Sequence, residues 1–432
     1  MLRPSYVLAK ELMCYKRGAA NLYPEYPLDF QTEIGDVGWI GTDGQFIRLV
    51  NCFQDGHRNT SGLPPNFVPL HIPEEDIADI EEDLRPGELL CSPGAILTEI
   101  STDPETPAQS STIPPCNPSI MQSPQGIVPS YPVTVQIPRE KGAFMMSQYP
   151  GRRRYIKPTN DLVHPYIISH RENWHKLSAE QFHILHKDDF IFISGQVETN
   201  QWAIGVSQQK DSVFTLRGKI GDRPARFSNP LPNNDCEARA GPGRLYMRYA
   251  LGEDSMINPI QDQSIFLNFL KARTRLFAPA KIFATAGPHP LPDNHDRNNT
   301  PNMTSFIDPA LQYILEATTC DVAIAGDIEI YHLLKDREWP DDLLQFLRDL
   351  SPKIMCKVAS GISYGHFAMD TGDVDIPEGN LSCESKLPSN LAKSDPSVEL
   401  NVQSGCFVHR CSESESFSAY RHSSVPEVVV IC

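Results

Sequence analysis

The first part of the chain alternates apolar and polar residues over short runs, as β-strands do. Residues 34–40 and 46–50 are two such runs, and Gly41-Thr42-Asp43-Gly44 between them supplies turn-forming residues. The pattern therefore predicts a β-hairpin within residues 34–50.

A helical spacing follows in an acidic stretch. In residues 75–84, Ile77, Ile80 and Leu84 recur at i, i+3 and i+7, which is typical of one face of a helix. The sequence predicts a short acidic helix that ends before Pro86-Gly87.

The middle of the chain contains a long helical pattern. Residues 163–182 are predicted to form a helix because large side chains recur every three or four positions. This stripe consists of Leu162, Tyr166, His170, Trp174 and Leu177. We expect Trp174 to be a core residue.

Several apolar runs around this helix predict strands. Residues 142–146 precede it, and residues 190–194, 202–207 and 213–217 follow it with short gaps. Such gaps favour an antiparallel meander, with Trp202 in the core. Two later runs, 245–251 and 264–284, are read as strands, because they are rich in aromatic residues and Pro279 would interrupt a long helix.

The last structured elements are predicted between residues 308 and 350. Residues 309–318 read as a helix with Asp308 as its N-cap and proline at the first position. Residues 320–325 read as a buried strand, and residues 339–350 have the pattern of an amphipathic helix.

Composition divides the chain further. Residues 92–140 contain 10 prolines and 12 serine or threonine residues. The segment therefore has too few apolar side chains to offset the entropy lost on ordering, and we expect it to be a linker. Residues 133–137 are expected to be its one ordered piece. Residues 372–424 contain 12 serines and predict a disordered tail.

The fold class predicted is α+β, with a predominantly antiparallel β central domain and a few helices. The expected organisation is a small N-terminal β unit at residues 1–91, the disordered linker at 92–140, the central domain at 141–350 and a largely disordered C-terminal tail at 351–432.

Charge and hydropathy exclude two classes of partner. The formal net charge of −16 repels phosphate backbones, so no nucleic-acid partner is expected. No run approaches the ~20 apolar residues of a membrane-spanning helix, so no membrane association is expected. The 11 cysteines are an odd number and are widely spaced, which favours a cytoplasmic setting.

Several segments together resemble a family of uncharacterised proteins from mushroom-forming (basidiomycete) fungi, which has no established activity. They span roughly residues 22–335 outside the linker. The resemblance implies a lineage and a cytosolic setting, and it supplies no catalytic residue. The segments are Tyr26-Pro27-Leu28, Ile34-Gly35-Asp36-Val37-Gly38, His170-Arg171-Glu172-Asn173-Trp174, Asp189 to Gly195, Trp202 to Ser207, and Asp321 to Asp327.

Several common catalytic signatures are missing from the sequence. It contains no phosphate-binding G-x-x-x-x-G-K-[ST], no H-E-x-x-H and no C-x-x-C. Gly241-Pro242-Gly243-Arg244 reads as a tight turn, because proline removes an N–H that a phosphate would need. Many ATPases and zinc proteases are therefore disfavoured.

Three groups of residues carry the remaining candidate chemistry. Asp321, Asp327, Glu329 and His332 follow a buried strand and are the candidate binding residues, since strand ends often hold cations or phosphates. The second group consists of His164, His170, His175, His183 and His186 with Asp188 and Asp189, where histidine beside carboxylate suits general-base or metal chemistry. The third is Cys406, His409 and Cys411, which lack a fourth zinc ligand nearby.

For each group the ordinary structural role, as a cap, a core residue or a solvated charge, is the more common one. The sequence therefore favours a soluble intracellular, non-catalytic binding or interaction protein with an unknown protein or small-molecule partner, no cofactor and no metal. The alternative is a metal-assisted hydrolase that uses the acidic group or the histidine cluster.

Overall fold

The computed structural model describes most of the chain from residue 2 to residue 369. The exceptions are residues 25–30, 55–58, 60–61, 100–108, 113–125, 129–132, 148, 183–185, 200–201, 217–235, 240–244, 251–262, 276–302 and 336. The described residues all belong to one compact unit. Predictions for 241–244 and for the tail beyond residue 369 lie outside them.

Five α-helices occur among the described residues. They are α1 (Pro4–Leu12), α2 (Val163–Phe182), α3 (Asp308–Ala317), α4 (Asp327–Leu334) and α5 (Leu343–Leu350). None of them is both long enough and apolar enough to cross a membrane.

The strands are more numerous. In chain order they are β1 (Ala19–Ala20), β2 (Asp36–Ile40), β3 (Phe46–Asn51), β4 (Ile77–Leu84), β5 (Leu89–Cys91), β6 (Ile96–Glu99), β7 (Gln109–Thr112), β8 (Val133–Ile137), β9 (Gly142–Ser147), β10 (Gly151–Ile156), β11 (Ile191–Thr199), β12 (Trp202–Ser207), β13 (Ser212–Leu216), β14 (Cys236–Arg239), β15 (Leu245–Ala250), β16 (Gln263–Thr274), β17 (Val322–Gly326), β18 (Ile354–Ala359) and β19 (Ile362–Phe367).

These strands form three sheets. The main sheet has the order β18-β19-β17-β16-β11-β10-β4, with β1 paired to β16 and the hairpin β2–β3 attached to β11. The second sheet is β15-β12-β9-β5 and the third is β14-β13-β8-β6-β7. The pairing is antiparallel except between β17 and β19. The predicted α+β class with mainly antiparallel strands is confirmed.

Helices cover both faces of the main sheet. Successive side chains of β17 point to opposite faces. Val322 and Ile324 pack in one core with residues of α2, whereas Ala323 and Ala325 pack in another with residues of α3 and α5. The central strands are therefore buried on both sides, which explains their continuous apolar runs.

The second sheet lies between helix α1 and the third sheet. Met145 of β9 packs in a core that contains Leu8 of α1, and the next residue, Met146, packs against Phe214 and Val135 of the third sheet. The same alternation of side chains along β9 produces both contacts.

Several predicted elements are found in the structure. The hairpin is formed by β2 and β3, helix α2 has the predicted bounds 163–182, and β16 and β17 match two of the buried runs. Residues 245–250 also form a strand, β15.

The acidic helix predicted at residues 75–84 is wrong, because β4 occupies Ile77–Leu84. The strand lies at the edge of the main sheet beside β10, which is rich in arginine. Asp79 accepts hydrogen bonds from Arg152, 2.9 Å away at Nε. Pairing with a strand distant in sequence thus overrides the local helical spacing.

The meander predicted for residues 190–217 is also wrong. Strands β11, β12 and β13 are successive in the chain, yet each belongs to a different sheet. Their partners are distant strands such as β16 and β9. Short gaps between strands therefore do not imply that neighbours pair.

The domain boundaries at residues 91 and 351 do not separate sheets. Strands β2, β3 and β4 share the main sheet with β10 and β11, and β18 and β19 belong to it as well. The predicted linker contains β6, β7 and β8, all within the third sheet. For the residues of 92–140 that the structure does not describe, a linker stays a prediction.

Asp308 is not an N-cap. It is the first residue of α3, which follows a short 3₁₀ turn at Ser305–Ile307, and Ile307 occupies the cap position. The Asp308 carboxylate instead accepts a hydrogen bond from Lys271 Nζ at 2.7 Å. The continuous turn before the helix removes the need for a side-chain cap.

Strand β11 carries a buried carboxyl group, that of Glu198. Glu198 Oε1 accepts hydrogen bonds from the side-chain amides of Gln31 and Gln196, each at 2.6 Å. Burial raises the pKa of Glu198 to about 7. Its protonation therefore affects stability near neutral pH.

We expect Trp174→Ala and Trp202→Ala each to lower the free energy of unfolding by ~3–5 kcal/mol, because each indole is only 1% exposed and the truncation leaves a cavity. Denaturant unfolding measures the loss. Leu63→Ala, at a position 39% exposed, is the control and should change stability by about 0.5 kcal/mol or less. A Trp174→Ala variant as stable as the parent would contradict the packing described.

The raised pKa of Glu198 should make the stability of the protein depend on pH. Its pKa is about 7 in the fold against an ordinary 4.5, so the folded state binds the proton more tightly and loses stability as pH rises from about 4.5 to 7. Relative to Glu198→Gln, which stays neutral, the parent should lose roughly 2–3 kcal/mol over this range. Glu75→Gln, at an exposed position, should follow the parent; parallel curves for Glu198→Gln and the parent would refute the expectation.

Candidate functional site

The four acidic-group residues predicted from the sequence do not converge. Asp321 precedes β17 and is exposed, whereas Asp327 and Glu329 follow the strand and are buried. Six residue steps of nearly extended chain separate Asp321 from Asp327 by roughly 20 Å. The predicted group is therefore divided between the two ends of β17.

Asp321 ties β17 to β19. Its Oδ2 accepts hydrogen bonds from the hydroxyl of Ser363 at 2.6 Å and from the backbone N–H of Ser363 at 3.2 Å. These bonds lower the pKa of Asp321. The residue acts as a strand-pairing carboxylate.

Asp327 connects the start of α4 to β16. Its Oδ1 accepts the backbone N–H of Phe269 at 3.0 Å, and its Oδ2 accepts the side-chain amide of Asn268 at 2.7 Å. Burial raises the pKa of Asp327 to about 6 although these bonds oppose the shift. Both carboxylate oxygens are thus used in holding the helix to the sheet.

Glu329 is positioned by the junction of β17 and α4. The strand ends at Gly326 and the helix begins at the next residue, with no loop between them. Glu329 Oε2 accepts the backbone N–H of Gly326 at 2.9 Å, which fixes the carboxylate and directs Oε1 away from the backbone. Glu329 as a whole is only 2% exposed to solvent.

His332 lies one turn further along α4. It is half-buried, and burial lowers its pKa. It is not part of the group that Glu329 forms with two other histidines.

His164 approaches Glu329 from the start of α2. It is the second residue of that helix and is buried. The helix is held against the main sheet by Ile167, Ile168 and Trp174. His164 Nε2 lies 3.3 Å from Glu329 Oε1.

His366 completes the group from β19. This strand is the parallel neighbour of β17, with Ala323 opposite Gly365. Because the carboxyl ends of parallel strands meet at one edge of a sheet, His366 and the start of α4 lie together. The rings of His164 and His366 have centroids 4.6 Å apart.

Hydrogen bonding assigns the tautomer of His366. Its Nδ1 lies 3.0 Å from the backbone carbonyl of Phe367. A carbonyl oxygen only accepts, so Nδ1 carries the proton and Nε2 carries a lone pair. Burial, and then the neighbouring His164, lowers the pKa of His366 to about 4, so the ring is neutral at pH 7.

The three residues form a compact group of potential ligands. One donor atom each from His164, Glu329 and His366 can be chosen so that all three lie within 4.8 Å of one another. Within the part of the chain that the structure describes, His366 Nε2 has no hydrogen-bond partner, and Glu329 Oε1 has no hydrogen bond beyond its contact of 3.3 Å with His164 Nε2. A buried lone pair without a partner is costly, and a cation between the three donor atoms would satisfy all of them.

An exposed ion pair forms between Asp161 and Lys357. Asp161 Oδ1 accepts a hydrogen bond from Lys357 Nζ at 2.6 Å. Asp161 comes three residues before His164, and Lys357 lies opposite Tyr364, two residues before His366. The pair therefore connects the segment before α2 to β18, the strand that pairs with β19.

The other histidines predicted as candidates do not join the group. His170 is half-buried and stacks on Tyr166, with centroids 4.0 Å apart. His175 is half-buried on the same helix, and His186 is exposed near Asp188 and Asp189. Asp188 is engaged by Arg171 at 2.8 Å. His183, Cys406, His409 and Cys411 lie outside the described residues.

The sequence analysis selects Glu329 in the acidic group and His164 in the histidine group, but it does not select His366. That residue lies within the region assigned to the tail, which begins at residue 351 in the prediction. A signal was available, because residues 362–367 have the apolar content of a strand. The serine-rich composition further on concealed it.

No family model, curated protein or solved structure matches this chain.

Replacing the two aspartates should separate their roles. Asp327→Ala leaves the N–H of Phe269 and the amide of Asn268 buried without an acceptor, and we expect a loss of ~2–4 kcal/mol in unfolding free energy. Asp321→Ala, at an exposed position, should cost about 1 kcal/mol or less. Chemical denaturation of both variants measures this; equal effects would contradict the assignment.

Proposed function

We propose that the protein binds one divalent transition-metal ion, with Zn²⁺ as the best fit, through His164, Glu329 and His366. The observation that carries the proposal is the buried Nε2 lone pair of His366, which has no hydrogen-bond partner, beside donor atoms of His164 and Glu329. Two imidazoles and one carboxylate are ligands that suit Zn²⁺.

The surroundings of the ligands support metal binding. A histidine ligand generally donates its second ring N–H to a carbonyl or carboxylate, and a carboxylate ligand is itself hydrogen-bonded. His366 donates from Nδ1 to the carbonyl of Phe367, and Glu329 accepts the N–H of Gly326. Both side chains are therefore held in orientation before an ion arrives.

A buried histidine–glutamate ion pair is the simpler explanation of the group. It accounts for the contact of 3.3 Å between His164 and Glu329. It does not satisfy Nε2 of His366, which is buried without a donor. A metal ion accounts for all three residues.

The ion that fits this site is structural rather than catalytic. Glu329 Oε1 and His366 Nε2 are both inaccessible to solvent, whereas a hydrolytic metal must present an open position to water and substrate. This favours the non-catalytic binding protein over the metal-assisted hydrolase. A protein or small-molecule partner stays a prediction.

The test is a titration of chelator-treated, full-length protein with Zn²⁺, Mn²⁺, Mg²⁺ and Ca²⁺ by calorimetry. We expect one equivalent of Zn²⁺ to bind. At a hundred times the dissociation constant the ion should stabilise the fold by about 2.7 kcal/mol, a rise of a few degrees in Tm.

Matched variants identify the ligands. Glu329→Gln keeps an oxygen for the N–H of Gly326, and His366→Gln removes the imidazole. Both should abolish the Zn²⁺-dependent rise in Tm while circular dichroism shows an intact fold. His71→Gln, an exposed histidine, should bind like the parent. Zn²⁺ binding that survives in both ligand variants, or its absence in the parent, would refute the proposal.

A further inference from the structure

Three basic side chains alternate along the end of β16. Lys271, Arg273 and Arg275 are two residues apart in extended chain, so they point to the same side of the main sheet. Helix α3 covers that side, because Phe269, two residues before Lys271, packs in a core with residues of α3. Lys271 Nζ binds the start of this helix, 2.7 Å from the carboxylate of Asp308.

Arg275 binds the other end of α3. Its Nη2 donates to the backbone carbonyls of Leu315 and Thr318, each at 2.7 Å. Its Nε donates to the carbonyl of Cys320 at 2.9 Å. Carbonyl acceptors carry no net charge, so the guanidinium is fixed in position without being neutralised.

Arg273 lies between these two anchors and has no acid as a partner. Its side chain is half-buried, and it forms no ion pair with any residue that the structure describes. Glu316 of α3 is engaged elsewhere, since its carboxylate accepts hydrogen bonds from Gln312 Nε2 and from Arg348 Nη2, each at 2.8 Å. Charges that are partly removed from water are normally paired, so Arg273 is a cation that lacks its counterpart.

A cavity of about 340 Å³ lies where Arg273 meets α3. Gln312 and Glu316 at its edge are exposed, so solvent and small solutes can enter it. Its volume is near the lower end of the range of roughly 300–1,000 Å³ that is typical of small-molecule sites. The lining residues are Arg273, Thr274, Arg275, Gln312, Leu315 and Glu316.

The charges around the cavity favour an anion. Arg273 and Arg275 contribute two positive charges, and Arg348 balances the negative charge of Glu316. Asp321, whose backbone carbonyl accepts the N–H of Arg275, directs its carboxylate to β19. A phosphate monoester carries a charge of roughly −1.5 to −2 at pH 7, and it matches the two arginines better than the single charge of a carboxylate does.

We propose that this cavity binds a small phosphomonoester. The guanidinium of Arg273 donates to two phosphate oxygens, and Leu315 packs against the organic group. Arg273 lies opposite Ala323 near the start of β17, whereas Glu329 follows the end of that strand. The two sites are therefore separate, and the inference does not depend on the proposed function.

The test titrates chelator-treated, full-length protein with phenyl phosphate, benzoate and inorganic phosphate by calorimetry. We expect one equivalent of phenyl phosphate to bind, more tightly than benzoate, which has the same ring but a single charge, and more tightly than inorganic phosphate, which has no ring. Arg273→Gln should weaken binding of phenyl phosphate at least about tenfold, because two charge-assisted hydrogen bonds are lost. Arg273→Lys should restore only part of the affinity, because an ammonium group cannot donate in the same planar geometry.

Gln312→Glu tests the cavity without altering Arg273. The added carboxylate at the edge of the cavity should weaken binding several-fold by repulsion. Gln345→Glu is the matched control, since Gln345 is also exposed on a helix and also donates to an acid four residues later at 2.8 Å. This variant should bind phenyl phosphate like the parent.

Three results would overturn the proposal. If the parent binds no phenyl phosphate, Arg273 is an ordinary solvated cation. If Arg273→Gln, shown by circular dichroism to be folded, binds like the parent, the anion is not held by this residue. If benzoate binds as tightly as phenyl phosphate, the assignment of a phosphomonoester is wrong.

Discussion

The direct passage from β17 into α4 is the constraint on which the candidate site depends. With no loop between Gly326 and Asp327, the first turn of the helix must lie against the end of the sheet. Asp327 meets this requirement by bonding to the backbone of β16, and Glu329 does so by bonding back to Gly326. The orientation of Glu329 toward the histidines is thus a consequence of how the helix begins.

The parallel pair β17 and β19 adds the second element. Parallel neighbours present their carboxyl ends at the same edge, and a site built there collects residues from both strands and from the helix that follows. Antiparallel pairing would have placed the end of β19 beside Asp321 instead. The single parallel contact among the described strands therefore brings His366 close to Glu329.

Local pattern was sufficient for elements whose structure depends on local contacts. The sequence predicts helix α2 with its observed bounds, but the predicted stripe matches the buried face only at Trp174 and Leu177. Leu162 is 46% exposed, and Val163, Ile167 and Ile168 form the rest of the buried face. Residues 77–84 have a helical spacing but form a strand. The reason is that Asp79 lies opposite Arg154 of β10 and accepts a hydrogen bond from Arg152, which is 73 residues away in sequence. A local spacing of apolar residues contains no information about such a distant partner. The meander failed for the same reason.

The site could be predicted only in part, since its residues come from three segments far apart in the chain. Glu329 was selected as one acid beside a strand, and His164 as one histidine among five, but nothing in either neighbourhood indicates that they meet. His366 can be recognised as a site residue only when the fold is known. Its Nε2 atom is buried, and it belongs to a group of potential metal ligands only because His164 of α2 and Glu329 of α4 place donor atoms within 4.8 Å.

The group of His164, Glu329 and His366 has a cost in folding free energy. A buried polar atom without a partner costs about 1–3 kcal/mol, and the fold carries this cost at Nε2 of His366. Two apolar residues of similar volume would remove it, as replacement of buried ion pairs often does. In the proposed function, an ion that binds only the folded arrangement would offset this cost and would also join α2, α4 and β19.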